Sequence, residues 1–515
     1  MRLRLAAAGL LSALMFHLAL PGGGSPWLGW GVLLLPLIAF DRLNAPARAI
    51  GRWMALPMGL LFGILEFRWM RALVPASDVT IPWIMIPATF VWILYVTLYF
   101  WLFFRGMAAL RDRLGHAALW AAPPLWVLLE WIRSSGVFAF SWVNLSQTQA
   151  ALGGTLAPAG WIGGLGMSFL MVFIQVAAVR GADIRGRDGR LARGLLFASL
   201  LLLVTLHIPS SQAGSRSLRV AAAQGNISLE DKWDRSYRDE NLRIFRELSM
   251  QAADEGAELV VWPETAVPVN ILYNRGIEEK LRAIARETGL SILTGFQALA
   301  PTDAGYNYSN AMGLFSPNGA LEGVYRKVHL LPFGEYVPFA KWLVPGVDID
   351  LGQANFEPGQ GERVFEGDRF KVAGFICYEM GFAGDASRAA RQGANLLANP
   401  TNDGWFEHDI ALELHAALAP MRAAETGLPL IRCGNAGVTE IIDGRGRVLD
   451  RLPMYTRGLL TADILLPVRP SFYARTGHWL PLVLGVVYSV LWLSLSLLFP
   501  PSATSGASNL AQRRS

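Results

Sequence analysis

The chain has 515 residues, 53% hydrophobic and only 17% charged, with a mean hydropathy of +0.34. Soluble domains carry roughly 25% charged residues, so this chain lacks the groups that keep a surface wet; disorder and a collagen rod are excluded, and two cysteines exclude a disulfide framework. The net charge of +5 is too mild to ask for nucleic acid, and the length suggests about two or three domains.

A bilayer core takes roughly 20 apolar residues of helix. Apolar runs predict membrane-spanning helices near 5–20, 26–40, 53–69, 81–104, 117–132, 156–179 and 191–207, with an eighth at 479–499. The first run follows Arg2 and Arg4 as a signal peptide would, but Pro21-Gly-Gly-Gly-Ser offers no small-x-small cleavage site, which favours a retained helix. With the amino terminus in the cytoplasm, one side collects Arg2, Arg4, Arg42, Arg48, Arg52, Arg105, Arg111 and Arg113, then Arg180, Arg185, Arg187, Arg190, Arg193, Arg513 and Arg514. The other side holds only Arg68, Arg71 and Arg133 before the polar block. This positive-inside asymmetry puts residues 217–466 outside the cytoplasm, between a seven-helix domain (1–208) and an eighth helix with a cytoplasmic tail (500–515). The uncharged outer loop 134–155 is aromatic (Phe138, Phe140, Trp142), which suits either the membrane interface or internal packing.

Residues 217–466 alternate strand-like runs (218–223, 259–262, 291–296, 311–315, 372–377, 395–398, 428–432) with amphipathic helices (239–255, 277–287, 384–392, 411–426). Such alternation predicts a layered α/β fold, with hairpin turns at Pro317-Asn-Gly and Asp443-Gly-Arg-Gly. Three strand ends carry reactive groups. Val260-Val-Trp-Pro-Glu264 runs into a carboxylate after a proline that ends the strand. Val324-Tyr-Arg-Lys327 ends in a lysine before a turn-rich segment, 331–338. Lys371-Val-Ala-Gly-Phe-Ile-Cys377 ends in a thiol at a strand-to-helix turn, where nearby amides favour the thiolate. Taken singly, Glu264 and Lys327 read as surface residues, and Cys377 as either a nucleophile or a buried core cysteine. Cys433 reads as a core cysteine, and a Cys377–Cys433 disulfide is an alternative outside the cytoplasm. His329, His408, His415 and His478 are scattered and read as structural or surface residues, and no zinc, P-loop or Rossmann spacing occurs.

Taken together, Trp262-Pro-Glu264-Thr, Arg326-Lys327-Val-His-Leu-Leu-Pro-Phe-Gly-Glu335 and Cys377-Tyr378-Glu379 resemble the Glu-Lys-Cys triad of the nitrilase superfamily. Asn399-Pro-Thr-Asn-Asp-Gly-Trp405 and Arg422-Ala-Ala-Glu-Thr-Gly-Leu-Pro fit as well. With the spans, the chain resembles the membrane-embedded branch of that superfamily, the apolipoprotein N-acyltransferase family. The resemblance implies a multi-span helical membrane domain plus an αββα nitrilase-like sandwich on the periplasmic face of a bacterial inner membrane, both termini being cytoplasmic. It implies ping-pong acyl transfer without metal or cofactor. Cys377 would take an acyl chain from a phospholipid, typically phosphatidylethanolamine, and pass it to the amino-terminal amine of a diacylated apolipoprotein. Glu264 would act as base and acid and Lys327 would steady the oxyanion, with Glu335, Tyr378 and Glu379 supporting them. Trp233, on a loop over the lipid pocket or as an interfacial anchor, is expected toward the substrate, as are Asn310 and Trp405.

Two other readings compete. A membrane-tethered nitrilase-type amidase would give the acyl group to water, although the spans and segment 331–338 favour the transferase. A catalytically dead transport or scaffold protein fits poorly: Glu66 and Glu130, the only acids in the spans, lie near span ends and form no chain of carboxylates.

Overall fold

The computed structural model describes residues 1–72, 85–183, 187–207, 215–302, 305–332, 334–336, 356–406 and 409–477, with Trp479, Val483, Val486 and Val490. The rest of the expected eighth span, the tail, Pro338, Arg185, His408 and His478 lie outside the described residues.

Five helical stretches among the described residues are long and apolar enough to cross a membrane: Arg2–Ala19, Ala47–Met70, Ile86–Arg133, Ala159–Gly181 and Asp188–Leu206. In Arg2–Ala19 the buried residues Leu5, Ala8, Ser12, Phe16 and Ala19 recur every three or four positions, while Leu3, Leu10, Leu11 and Leu14 face outward. That is the pattern of a helix packed on one stripe and apolar all round. Three expected runs take a different form. Residues 26–40 fold as a 3-10 turn, Pro26–Gly31, and a nine-residue helix, Leu34–Arg42. The runs 81–104 and 117–132 become the helices Met85–Leu114 and Ala122–Arg133, joined by a 3-10 turn at Gly115–Ala121. In the loop that follows, Phe140 and Trp142 are buried in an aromatic cluster with Phe67, Trp69 and Trp92. Packing is therefore the correct reading for these two, whereas Phe138 stays exposed.

The polar block is a sandwich of two sheets. The larger has seven strands: β1 (Arg216–Gln224), β2 (Leu259–Val261), β3 (Val267–Asn270), β4 (Ser291–Thr302), β5 (Gly305–Phe315), β6 (Leu321–Arg326) and β13 (Gly458–Leu466). Its order is β13-β1-β2-β4-β5-β6, with β3 pairing β4. The second has the order β12-β11-β10-β9-β8-β7, built from β7 (Val364–Glu366), β8 (Lys371–Gly374), β9 (Leu396–Thr401), β10 (Leu430–Gly434), β11 (Thr439–Ile442) and β12 (Val448–Leu452). Alternation along β1 shows why two layers form. Leu218, Val220 and Ala222 face the other sheet's Val372, Leu396, Ile431 and Ile441, while Ala221 and Ala223 face outward onto Leu242 and Phe245 of the helix Arg238–Asp254. That helix and Arg275–Thr288 cover the seven-stranded sheet. The helices Ala383–Arg391, Asp409–Ala416 and Leu418–Thr426 cover the six-stranded one, and their inner residues share one apolar cluster with the membrane helices. The architecture is the expected αββα sandwich beside a helical membrane domain.

Candidate active site

Glu264, Lys327 and Cys377 stand just past the ends of β2, β6 and β8, at one end of the sandwich. Pro263 ends β2, and Thr265 takes φ +48°, so the chain turns sharply and aims the Glu264 carboxylate inward. Gly295 of β4 lets that turn sit close, since a Cβ there would lie 2.5 Å from the Thr265 nitrogen and 2.8 Å from the Glu264 Cα. One Glu264 oxygen accepts the Asn310 amide at 2.7 Å and the other accepts the Asn402 N–H at 2.7 Å. Lys327, 1% exposed, lies 3.7 Å from Glu264 Oε1 and 2.9 Å from Glu335 Oε2. Burial works against the Lys327 charge, but the Glu335 and Glu264 carboxylates outweigh it and hold the ammonium above the ordinary lysine range.

Cys377 opens the short 3-10 turn Cys377–Gly381 with φ +51°, a strained position for a non-glycine residue and a common one where chemistry is done. The turn does not favour the thiolate, contrary to the sequence expectation. Burial pushes the thiol up and the Glu264 carboxylate adds to it, against the opposing pull of Lys327 and the Thr401 hydroxyl. Both cysteines are free; Cys433 lies in the core between the sheets and donates to the Val261 carbonyl at 3.1 Å, so the disulfide alternative is not formed.

Glu379 ties the lysine and cysteine turns together. Its Oε1 accepts Tyr325 Oη and the Val328 N–H, both at 2.7 Å, and the His329 N–H at 3.1 Å, while Oε2 accepts the Ile376 N–H at 2.7 Å. Tyr378 donates from its hydroxyl to the Ala139 carbonyl in the membrane half. Asn310, expected toward the substrate, is buried, its amide bridging Glu264 and Glu335 at 2.7 and 3.1 Å. Trp233 ends the five-residue helix Leu229–Trp233 and is 39% exposed. Trp405 ends the turn Asp403–Trp405, and its side chain lies outside the described residues.

A buried network beneath Cys377 escaped the sequence reading. Asn399 donates its amide to the Phe375 and Cys377 carbonyls at 2.7 and 3.2 Å and accepts from Arg432 at 2.6 Å. Arg432 also holds Asp403 at 2.7 Å, and Asp403 holds His415 Nδ1 at 2.9 Å. His415 is fully buried and stacks on Trp142 of the membrane loop, centroids 4.8 Å apart. Cys377, Asp403 and His415 bring one donor atom each within 4.8 Å of one another. The set makes a poor cation site, because Arg432 already matches the Asp403 charge and holds that carboxyl below its ordinary range despite burial. One sequence signal was available: Arg432 is a charge inside the apolar strand Leu430–Gly434, and a charge buried there needs a partner. His415 carries no such signal, because its neighbours come from distant segments.

Comparison with known proteins covers both halves. Residues 219–469 match the carbon-nitrogen hydrolase family, and residues 12–177 match the apolipoprotein N-acyltransferase N-terminal domain. The chain is 32% identical over 486 residues to an apolipoprotein N-acyltransferase of Geobacter metallireducens, covering 91% of each. It is 33% identical over 403 residues to one of Pseudomonas syringae pv. tomato, covering 76% of each, and 27% identical over 522 residues to one of Chlorobaculum tepidum, covering 94% of this chain and 95% of that one. Among solved structures, an amidase from Nesterenkonia sp. aligns over 51% of this chain and 93% of its own, with 22% identity and a TM-score of 0.38.

Proposed function

The chain belongs to the apolipoprotein N-acyltransferase family, and from that premise we propose that it moves an acyl chain from a phospholipid to the amino-terminal amine of an apolipoprotein through a thioester on Cys377. The observation that carries this reading is the convergence of Glu264, Lys327 and Cys377 in a buried site whose turn is fastened to the membrane half. Because the thiol is held protonated, its proton must leave as the bond to carbon forms. Glu264, fixed by Asn310 and Asn402, is the base that receives it. Cys377 Sγ attacks the acyl ester carbonyl, and the oxyanion forms against the permanently charged Lys327. Collapse breaks the ester C–O bond, and Glu264 returns the proton to the departing lysophospholipid hydroxyl. In the second half the α-amine attacks the thioester, Glu264 takes a proton from nitrogen, the C–S bond breaks, and the thiol regains its proton. Glu335 keeps Lys327 charged and placed, Glu379 holds the cysteine turn, and Trp233 meets lipid at the exposed rim.

The donor we propose is phosphatidylethanolamine and the acceptor a diacylated lipoprotein. Both keep their chains in the bilayer, and withdrawing a chain costs about 0.8 kcal/mol per CH₂; an enzyme carried on its own spans avoids that extraction. The loop arginines support eight spans in an inner membrane, residues 217–466 in the periplasm and both termini in the cytoplasm. Purified protein with phosphatidylethanolamine and a diacylated lipopeptide tests the reaction. A lipopeptide heavier by one amide-linked acyl chain is expected; free fatty acid with unchanged lipopeptide would make the protein a hydrolase. Protease added to intact spheroplasts should cleave within 217–466, and protection of that block would reverse the topology.

A further inference from the structure

Lys232 belongs to none of the groups assigned above, yet it is 3% exposed on a short helix whose neighbours Glu230 and Trp233 face solvent. Its Nζ donates to the main-chain carbonyl of Glu264 at 2.9 Å. We propose that Lys232 is a positioning residue for Glu264, fixing the base from its backbone side and linking it to the segment that carries Trp233. The inference rests on the roles given above to Glu264 and Cys377.

The contacts close into a ring. Glu264 accepts the Asn402 N–H, and the Asn402 side-chain oxygen lies 3.4 Å from the Asn435 amide. Asn435 in turn accepts the N–H groups of Asn226 and Ile227 and donates to the Ile227 carbonyl at 2.7 Å. From Ile227 the chain enters the helix capped by Ser228 and returns to Glu264 through Lys232. The Glu264 carboxylate is thus held by Asn310 and Asn402 and its carbonyl by Lys232, while Gly295 leaves the room that a Cβ would take from its Cα. A neutral donor would satisfy a carbonyl equally well. A buried ammonium is costly unless negative charge lies near, and here the Glu264 carboxylate supplies it, although burial still pushes Lys232 down to about 8. The positive charge therefore sits beside the base that it positions.

The test uses the full-length protein in detergent micelles, with Lys232→Met and Lys232→Gln as variants. Two rates are read: alkylation of Cys377 by iodoacetamide, which needs no lipid pocket, and thioester formation on phosphatidylethanolamine. A misplaced base slows both, so Lys232→Met is expected to lose about tenfold or more in each while KM for phospholipid stays within about twofold. Lys232→Gln, whose amide can still donate, should fall between the two. Unfolding midpoints confirm the fold, and if the Met variant does not fold, the Gln variant decides. Wild-type alkylation rates in a folded variant, or a defect in KM alone, would overturn the inference. Absence of a thioester on the wild type would instead overturn the acyl-transfer reading and leave the alkylation comparison standing.

Discussion

At Cys377 two conditions pull apart: the turn presents the sulfur, and burial beside a carboxylate keeps it protonated. Reactivity then depends on Glu264 and Lys327 together. Lys327→Met, which removes the one cation facing the oxyanion, should slow thioester formation about 10²–10³-fold; quench-flow with mass detection measures it, and a loss below about threefold would remove Lys327 from that role. A second buried carboxyl bears on stability. Burial pushes Glu440 of β11 up to about 7 from 4.5, with Arg451 and Arg432 pulling the other way. Between those values the unfolded carboxyl ionises while the folded one keeps its proton, so this residue's contribution to stability falls as pH rises from 4.5 through 7. Unfolding midpoints of Glu440→Gln should therefore gain on wild type across that window, whereas parallel pH curves would refute the assignment. Strand ends marked Glu264, Lys327 and Cys377, but taken singly they read as surface or core residues, and only the combined motifs resembled a triad. The amide bridge that Asn310 makes between Glu264 and Glu335 was not legible, because its partners come from distant segments.

The elements that matter most to the site are its turns and one membrane loop. Trp142 packs on His415, and Ala139 receives the Tyr378 hydroxyl beside the nucleophile. Through Asp403, Arg432 and Asn399 the loop's packing reaches the backbone of Cys377. Trp142→Ala is accordingly expected to cost about 3–5 kcal/mol, as large buried aromatics do, and to slow thioester formation although the residue lies in the membrane half. A destabilised variant that acylates at the wild-type rate would deny the coupling. Among strands, the apolar runs of β1, β2, β4, β8, β9 and β10 were plain from sequence. The exposed strand β12, with Asp450 and Arg451 at its centre, offered no apolar pattern to read. The run near 26–40 takes two helical pieces because Pro26, Gly29 and Gly31 favour a 3-10 turn ahead of the α-helix, a break that hydropathy does not register.

Across the whole molecule, one face of the sandwich is finished by the membrane helices. Ala389, Leu414, Leu418 and Ala423 belong to the same apolar cluster as Phe16, Phe62 and Phe103. A chain truncated to residues 217–466 should therefore aggregate or bind detergent, because it bares a patch that monomeric soluble proteins rarely show; a monodisperse monomer in buffer would contradict this. The same seam fastens the turn that carries the thiol to helices long and apolar enough to cross a membrane. The covalent intermediate on Cys377 decides the mechanism. Intact mass of the full-length protein after incubation with phosphatidylethanolamine, beside Cys377→Ser, should show a hydroxylamine-sensitive acyl adduct on wild type alone, discharged by a diacylated lipopeptide. An unmodified mass, or an adduct that survives in Cys377→Ser, would contradict it.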